Sequence, residues 1–98
     1  TIVQMARPSD IWLHARGVRG AHVLIRTDGA PDQVPRQTLL MAARLAGKLS
    51  DYRNDGVADV DYTLARYVRK PRNAPPGYVI YTHQKTLRVA FSQDEGTE

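Results

Sequence analysis

Two alternating stretches around a glycine-rich turn constrain the fold more than any other feature of these 98 residues. In Ile11-Trp12-Leu13-His14-Ala15-Arg16, side chains alternate with a period of two along an extended strand, so Ile11, Leu13 and Ala15 share one face. In Ala21-His22-Val23-Leu24-Ile25-Arg26 the matching face is Ala21, Val23 and Ile25. The opposite faces carry Trp12, His14 and Arg16 on one strand and His22, Leu24 and Arg26 on the other. Directly opposed residues of an antiparallel pair share a face, so a register with His14 opposite His22 sends both apolar sets into one core. A slip of one residue would set Trp12, His14 and Arg16 beneath Ala21, Val23 and Ile25, which the pattern rejects. With that register Arg16 faces Gly20, and the turn is the three residues Gly17-Val18-Arg19, where glycine tolerates positive φ.

The rest of the chain completes a small α+β pattern. Thr27 to Val34, with Gly29, Pro31 and two Asp, reads as a loop, and Pro35 suits the first turn of a helix, where its missing N–H is not needed. Leu39, Ala42, Ala43, Ala46 and Leu49 then recur at helical spacing up to Ser50, which predicts an amphipathic helix lying on the sheet. Arg36, Arg44 and Lys48 form a basic stripe on another of its faces, suited either to solvent or to a phosphate backbone. After a polar turn from Asp51 to Gly56, Ala58, Val60 and Tyr62 alternate with Asp59 and Asp61 as in a half-buried strand over Val57 to Thr63. A further strand is expected near Tyr67 to Lys70, followed by a stiff loop from Pro71 to Gly77 whose three prolines cannot continue a ladder. Tyr78 to Thr82 and Lys85 to Phe91 are expected to pair as a hairpin around His83-Gln84, with Tyr78, Ile80, Leu87 and Val89 on one parity. The expected fold class is α+β: a mixed or antiparallel sheet with one main amphipathic helix packed on one face, in the order β-β-α-β-β-β. The other sheet face is left available.

A chain of this length forms one domain and buries roughly 65% of its unfolded surface. Residues 1–93 are expected to form it, with 94–98 as an acidic disordered tail. There is no cysteine, so disulfides, thiolate catalysis and Cys-ligated zinc are excluded, and a cytoplasmic location is permitted. No apolar run is long enough for a membrane span or a signal peptide, so no membrane partner is expected. Of the ten acids, Asp94, Glu95 and Glu98 fall in the tail, which leaves 14 bases against seven acids in residues 1–93. Eleven of the bases are arginine, whose planar fork suits phosphate and base stacking better than an ammonium does.

Chemistry on this framework has two readings. Asp10, His14 and His22 would share a sheet face, and an imidazole beside a carboxylate can act as a general base, so a small hydrolase or nucleotide-modifying enzyme is one alternative. Against it, the spacing matches no metal signature, Ser9, Ser50 and Ser92 lack a nucleophile-elbow context, and Gly17-x-x-Gly20 alone is no nucleotide fingerprint. No catalytic residue, cofactor or metal ligand is therefore expected. Trp12 is either a lid over a second hydrophobic layer, the commoner fate of a strand tryptophan, or an exposed base-stacking platform.

Asp10-x-Trp12-x-His14-Ala15-Arg16-Gly17 followed by Gly20-Ala21-His22-Val23 resembles the signature of NFACT-R, the RNA-binding domain of the NFACT family. The resemblance continues through Ala42-Ala43-x-Leu45-Ala46 and Ser50, Val60-Asp61-Tyr62-Thr63, Val68-Arg69-Lys70, Pro76-Gly77-Tyr78-Val79-x-Tyr81 and Lys85-Thr86-x-x-Val89. It covers nearly the whole chain in order, although the later motifs are weak singly. Ala21 stands where the family more often has Ser, and Asn73 where Gly is usual. Such proteins are ribosome quality-control factors that bind the large ribosomal subunit and recruit transfer RNA for untemplated tailing, and some bacterial members carry fibronectin- or fibrinogen-binding names. The resemblance implies a noncatalytic RNA-binding module whose partners are tRNA or ribosomal RNA, the large ribosomal subunit and, in a longer chain, the other NFACT domains. Phosphate and ribose contacts are expected from Arg16, Arg19, Arg26, Lys70, Arg72 and Lys85, with His14 and His22 as polar contacts or scaffold. A protein-interaction module of a larger factor is the second alternative.

Overall fold

The structure, a computed structural model, describes residues 6–92. The elements run β1 (Ile11–Ala15), β2 (Val23–Ile25), α1 (Arg36–Lys48), β3 (Val57–Leu64), β4 (Val68–Arg69), β5 (Ile80–Tyr81) and β6 (Lys85–Ala90). Four of the strands form an antiparallel sheet in the order β2-β1-β3-β6, and α1 lies across one face of it. The fold class is α+β, as expected, with four strands after the helix where the order β-β-α-β-β-β has three.

The first two strands pair as the alternation dictates. Ile11 faces Ile25, Trp12 faces Leu24 and Leu13 faces Val23, the register that leads on to His14 beside His22. Ile11 and Leu13 enter the core with Ala43 and Ala46 of α1, Ala58 and Val60 of β3, and Val89 and Phe91. Small residues let the helix come close: a Cβ on Gly47 would sit 2.6 Å from the Phe91 ring.

The turn differs from the three-residue expectation. Residues 16–22 form a longer connection, because the chain beyond Ala15 finds other partners. The Arg16 N–H donates to the Asp59 carbonyl at 2.9 Å, Ala21 N–H to Leu49 O at 3.1 Å, and Asp51 N–H to Arg19 O at 2.9 Å. Gly20 bridges Ser50, and no side chain fits there, since a Cβ would lie 2.8 Å from that of Ser50. The helix is also shorter than its apolar pattern. Pro35 remains extended as the N-cap, Leu49 is the C-cap, and Leu49 is exposed rather than core.

The expected hairpin between the last two strands does not form. β5 instead pairs with β4, Val68 facing Tyr81 and Arg69 facing Ile80, in a two-stranded ribbon, while β6 pairs with β3 at the edge of the main sheet. His83 makes the switch between sheets at φ 61°. The ribbon lies over part of the sheet face opposite α1, so that face is not left bare as expected: the Tyr81 ring centroid is 4.7 Å from that of Trp12. In the loop between β4 and β5, Asn73 takes φ 64°, a conformation that glycine adopts freely and asparagine tolerates well, so Asn73 fits where the resemblance leads one to expect Gly. The acidic tail expected at 94–98 lies outside the described residues.

Candidate nucleic-acid interface

The face of β1 turned away from the core carries Trp12 and His14, whose cross-strand neighbours on β3 are Thr63 and Asp61. Trp12 is only 1% exposed. Its ring centroid lies 5.7 Å from that of the stacked His14, 5.1 Å from that of His22, which meets it edge-on, and 4.7 Å from that of Tyr81. Trp12 is thus the floor beneath the ribbon, not an exposed platform for a base.

Asp61 fixes the ribbon on that floor. Its buried carboxylate, 2% exposed, accepts hydrogen bonds from the Tyr81 hydroxyl at 2.6 Å and from the Thr86 hydroxyl at 2.7 Å. Burial, then the hydrogen bond and charge of Asp61, push the Tyr81 phenol well above its ordinary pKa, against the opposing charge of Arg16. Tyr81 therefore stays a donor at neutral pH, and Asp61 holds β5 to β3 as β6 is held beside it. Thr63 adds a bond from its hydroxyl to the Thr82 carbonyl at 2.8 Å.

The two histidines support this layer from the side. His14 places Nε2 3.2 Å from the Gly20 carbonyl, which makes that nitrogen the donor, and its ring lies 5.3 Å from that of His22. Burial, and then the charge of His14, hold His22 below its ordinary pKa. A histidine that resists protonation when folded binds fewer protons than the unfolded chain does. Stability is therefore expected to be full above a pH of about 6.5 and to fall as acid protonates the unfolded state first. Melting curves at neutral and mildly acid pH check this, and His22→Gln should shrink the difference between them.

Asp10 stands apart from the histidines. Its carboxylate accepts from the backbone N–H of Arg7 at 3.0 Å and of Thr27 at 3.1 Å, closing the turn that leads into β1. The Asp10, His14 and His22 constellation expected of a hydrolase is therefore not assembled around a common point. Among the described residues no cluster of three or more His, Cys, Asp or Glu is placed to hold a metal ion.

The basic residues are distributed unevenly. Arg16 is exposed and close enough to Tyr81 for its charge to act on the phenol, and Lys70 and Arg72 are exposed in the loop joining β4 to β5. Arg26 is exposed just beyond β2, whereas Arg19 is 95% exposed in the 16–22 connection with Asp51 at 3.8 Å. Lys85 pairs across from Tyr62, on the parity of the helix-covered face, so it does not join His14, His22 and Arg16. Arg66 and Arg69, also exposed, belong with Lys70 and Arg72 but escaped the sequence reading. The signal was present: from Tyr62 to Gln93 the sequence holds no acid and the six bases Arg66, Arg69, Lys70, Arg72, Lys85 and Arg88. Asp61 was legible only as an outward polar residue of a strand, since its partners Tyr81 and Thr86 are distant in sequence.

Known proteins agree with this architecture. The chain is 40% identical over 91 residues to the Rqc2 homolog RqcH of Bacillus subtilis (strain 168), a match that covers 93% of the chain. It is homologous to one stretch of the RqcH proteins. The RqcH of Streptococcus suis (strain 05ZYH33) is 37% identical over 93 residues, covering 94% of the chain. The chain spans about 15% of the first of these curated relatives and 16% of the second. Among solved structures, the C-terminal part of the fibronectin/fibrinogen-binding protein from Streptococcus suis superposes with a TM-score of 0.83 at 36% identity, covering 94% of this chain and 36% of that one. No family model matches the chain. The names of these relatives do not denote enzymes. No helix among the described residues is long and apolar enough to cross a membrane.

Proposed function

We propose that this chain is an RNA-binding module of the NFACT-R kind, without chemistry of its own, that helps a cytoplasmic ribosome quality-control factor hold tRNA or large-subunit ribosomal RNA. The observation that carries this reading is homology along nearly the whole chain to proteins named Rqc2 homolog. The acid-free basic span supports it, because the ribbon in its middle is packed on the face that carries His14 and His22. Arg16, Lys70 and Arg72 are the leading phosphate contacts, Arg19, Arg26 and Lys85 contribute from the margins, and His14 and His22 position the layer beneath. The hydrolase alternative loses its carboxylate, since both Asp10 oxygens are engaged by backbone donors.

Fluorescence anisotropy with labelled tRNA tests the proposal. Binding of this domain alone is expected to be micromolar or weaker and to fall substantially between about 50 and 200 mM salt, because phosphate contacts release counterions. Binding that is absent or insensitive to salt would favour a protein-interaction module.

A further inference from the structure

A cleft of about 300 Å³ opens where the ribbon leaves the main sheet, between the turn at Pro31 and Asp32, the end of β3 from Tyr62 to Leu64, Tyr67, His83 and Lys85. It is separate from the layer around Trp12, since Tyr62 and Lys85 oppose each other on the parity of the helix-covered face. Its wall is aromatic and held in place. The rings of Tyr67 and His83 stack at 3.9 Å with 19° between their planes. His83 keeps this position at φ 61°, with Nδ1 2.9 Å from the Thr82 hydroxyl, and the Thr82 backbone is itself bonded to Tyr67 O and the Thr63 hydroxyl. At the rim, Lys85 has no carboxylate within ion-pair distance among the described residues, and Asp32 supplies an acceptor.

We propose that this cleft takes one unpaired ribonucleotide of a bound RNA, an assignment that rests on the RNA-binding reading above. Aromatic walls hold unstacked bases whatever their identity, because each base has a π-face. Lys85 meets the phosphate and Asp32 accepts from a ribose hydroxyl or an exocyclic amino group. The volume lies at the lower end of small-ligand pockets, enough for a single base and its sugar and too narrow for a duplex. Six of the nine lining residues, Lys85 among them, come from the acid-free span, and Asp32 is the one carboxylate in the lining.

Anisotropy with two probes tests the assignment: a blunt RNA duplex, and the same duplex carrying a single-nucleotide bulge. The whole chain is expected to prefer the bulged probe by about five- to tenfold, the contribution of one stacked base. Tyr67→Ala should remove most of that preference while the blunt duplex binds as before, Lys85→Ala should remove most of it while weakening the blunt duplex far less than the bulged probe, and Tyr67→Phe should keep it. Lys85 is exposed, so its variant tests the cleft even if loss of Tyr67 loosens the ribbon. Equal binding of both probes by the unaltered chain, or a preference that survives both alanine variants, would overturn the cleft assignment and leave the RNA-binding reading standing. Failure of both probes to bind at low salt would overturn the two together.

Discussion

Leu13→Asp is expected to leave this domain unfolded at room temperature, while Arg16→Ala, at an exposed position just past the end of β1, melts close to the unaltered protein. Leu13 is 0% exposed, at the centre of the cluster that joins β1 to Ala43 and Ala46 of α1 and Val60 of β3. A carboxylate placed there loses its water and gains no cation, a change in the class that costs more than about 4 kcal/mol. A domain of this size has a total of about 5–15 kcal/mol to lose, and the substitution also forfeits the apolar burial of leucine. Val23→Asp should be milder, since Val23 sits half-buried on β2 at the edge of the sheet, where a charge can reach solvent. The expected order of damage is Leu13, then Val23, then Arg16, read by circular dichroism during thermal denaturation. A Leu13→Asp protein that melts like the original would show that the register placing Leu13 opposite Val23 is wrong.

That register was legible in the sequence because the aliphatic residues of β1 and β2 alternate with Trp12, His14 and His22, so a slip by one residue sends every side chain to the other face. The length of their connection was not, because Gly20 and Ala21 choose partners at Leu49 and Ser50, a contact between segments distant in the chain. The same reason hid the ribbon. Tyr78 to Thr82 and Lys85 to Phe91 alternate well enough to pair with each other, and local pattern cannot show that the Tyr81 hydroxyl has a buried acceptor in Asp61 and its ring a partner in Trp12. These two contacts carry β5 onto the outer sheet face and leave β6 to complete the main sheet. Of the candidate contacts, their identity as exposed cations was legible from composition, whereas the separation of Lys85 from the histidine face followed only from its pairing with Tyr62.

Replacing Arg69, Lys70 and Arg72 together by glutamine is expected to weaken tRNA binding by at least tenfold at low salt and to flatten its salt dependence. Each phosphate contact removed takes about 0.7 to 0.9 from the slope of log affinity against log salt, the values for single-stranded and duplex DNA, so three contacts would take about two to three. Folding should be unaffected, because the side chains that pin the ribbon are Tyr81, Trp12, Asp61 and Thr63, none of them altered. Two other cations give the comparison its meaning. Arg88 lies 3.3 Å from Asp59 and Arg19 lies 3.8 Å from Asp51, so each is already partly compensated by a neighbouring carboxylate. Glutamine at either should cost less than at any one of the three ribbon positions. The comparison also separates a local interface from a diffuse basic surface, since a diffuse surface would lose affinity in proportion to charge wherever it was removed. If the triple variant binds tRNA as tightly as the original with the same slope, the RNA contacts lie elsewhere, and the exposed Arg36 and Arg44 on α1 become the next positions to alter.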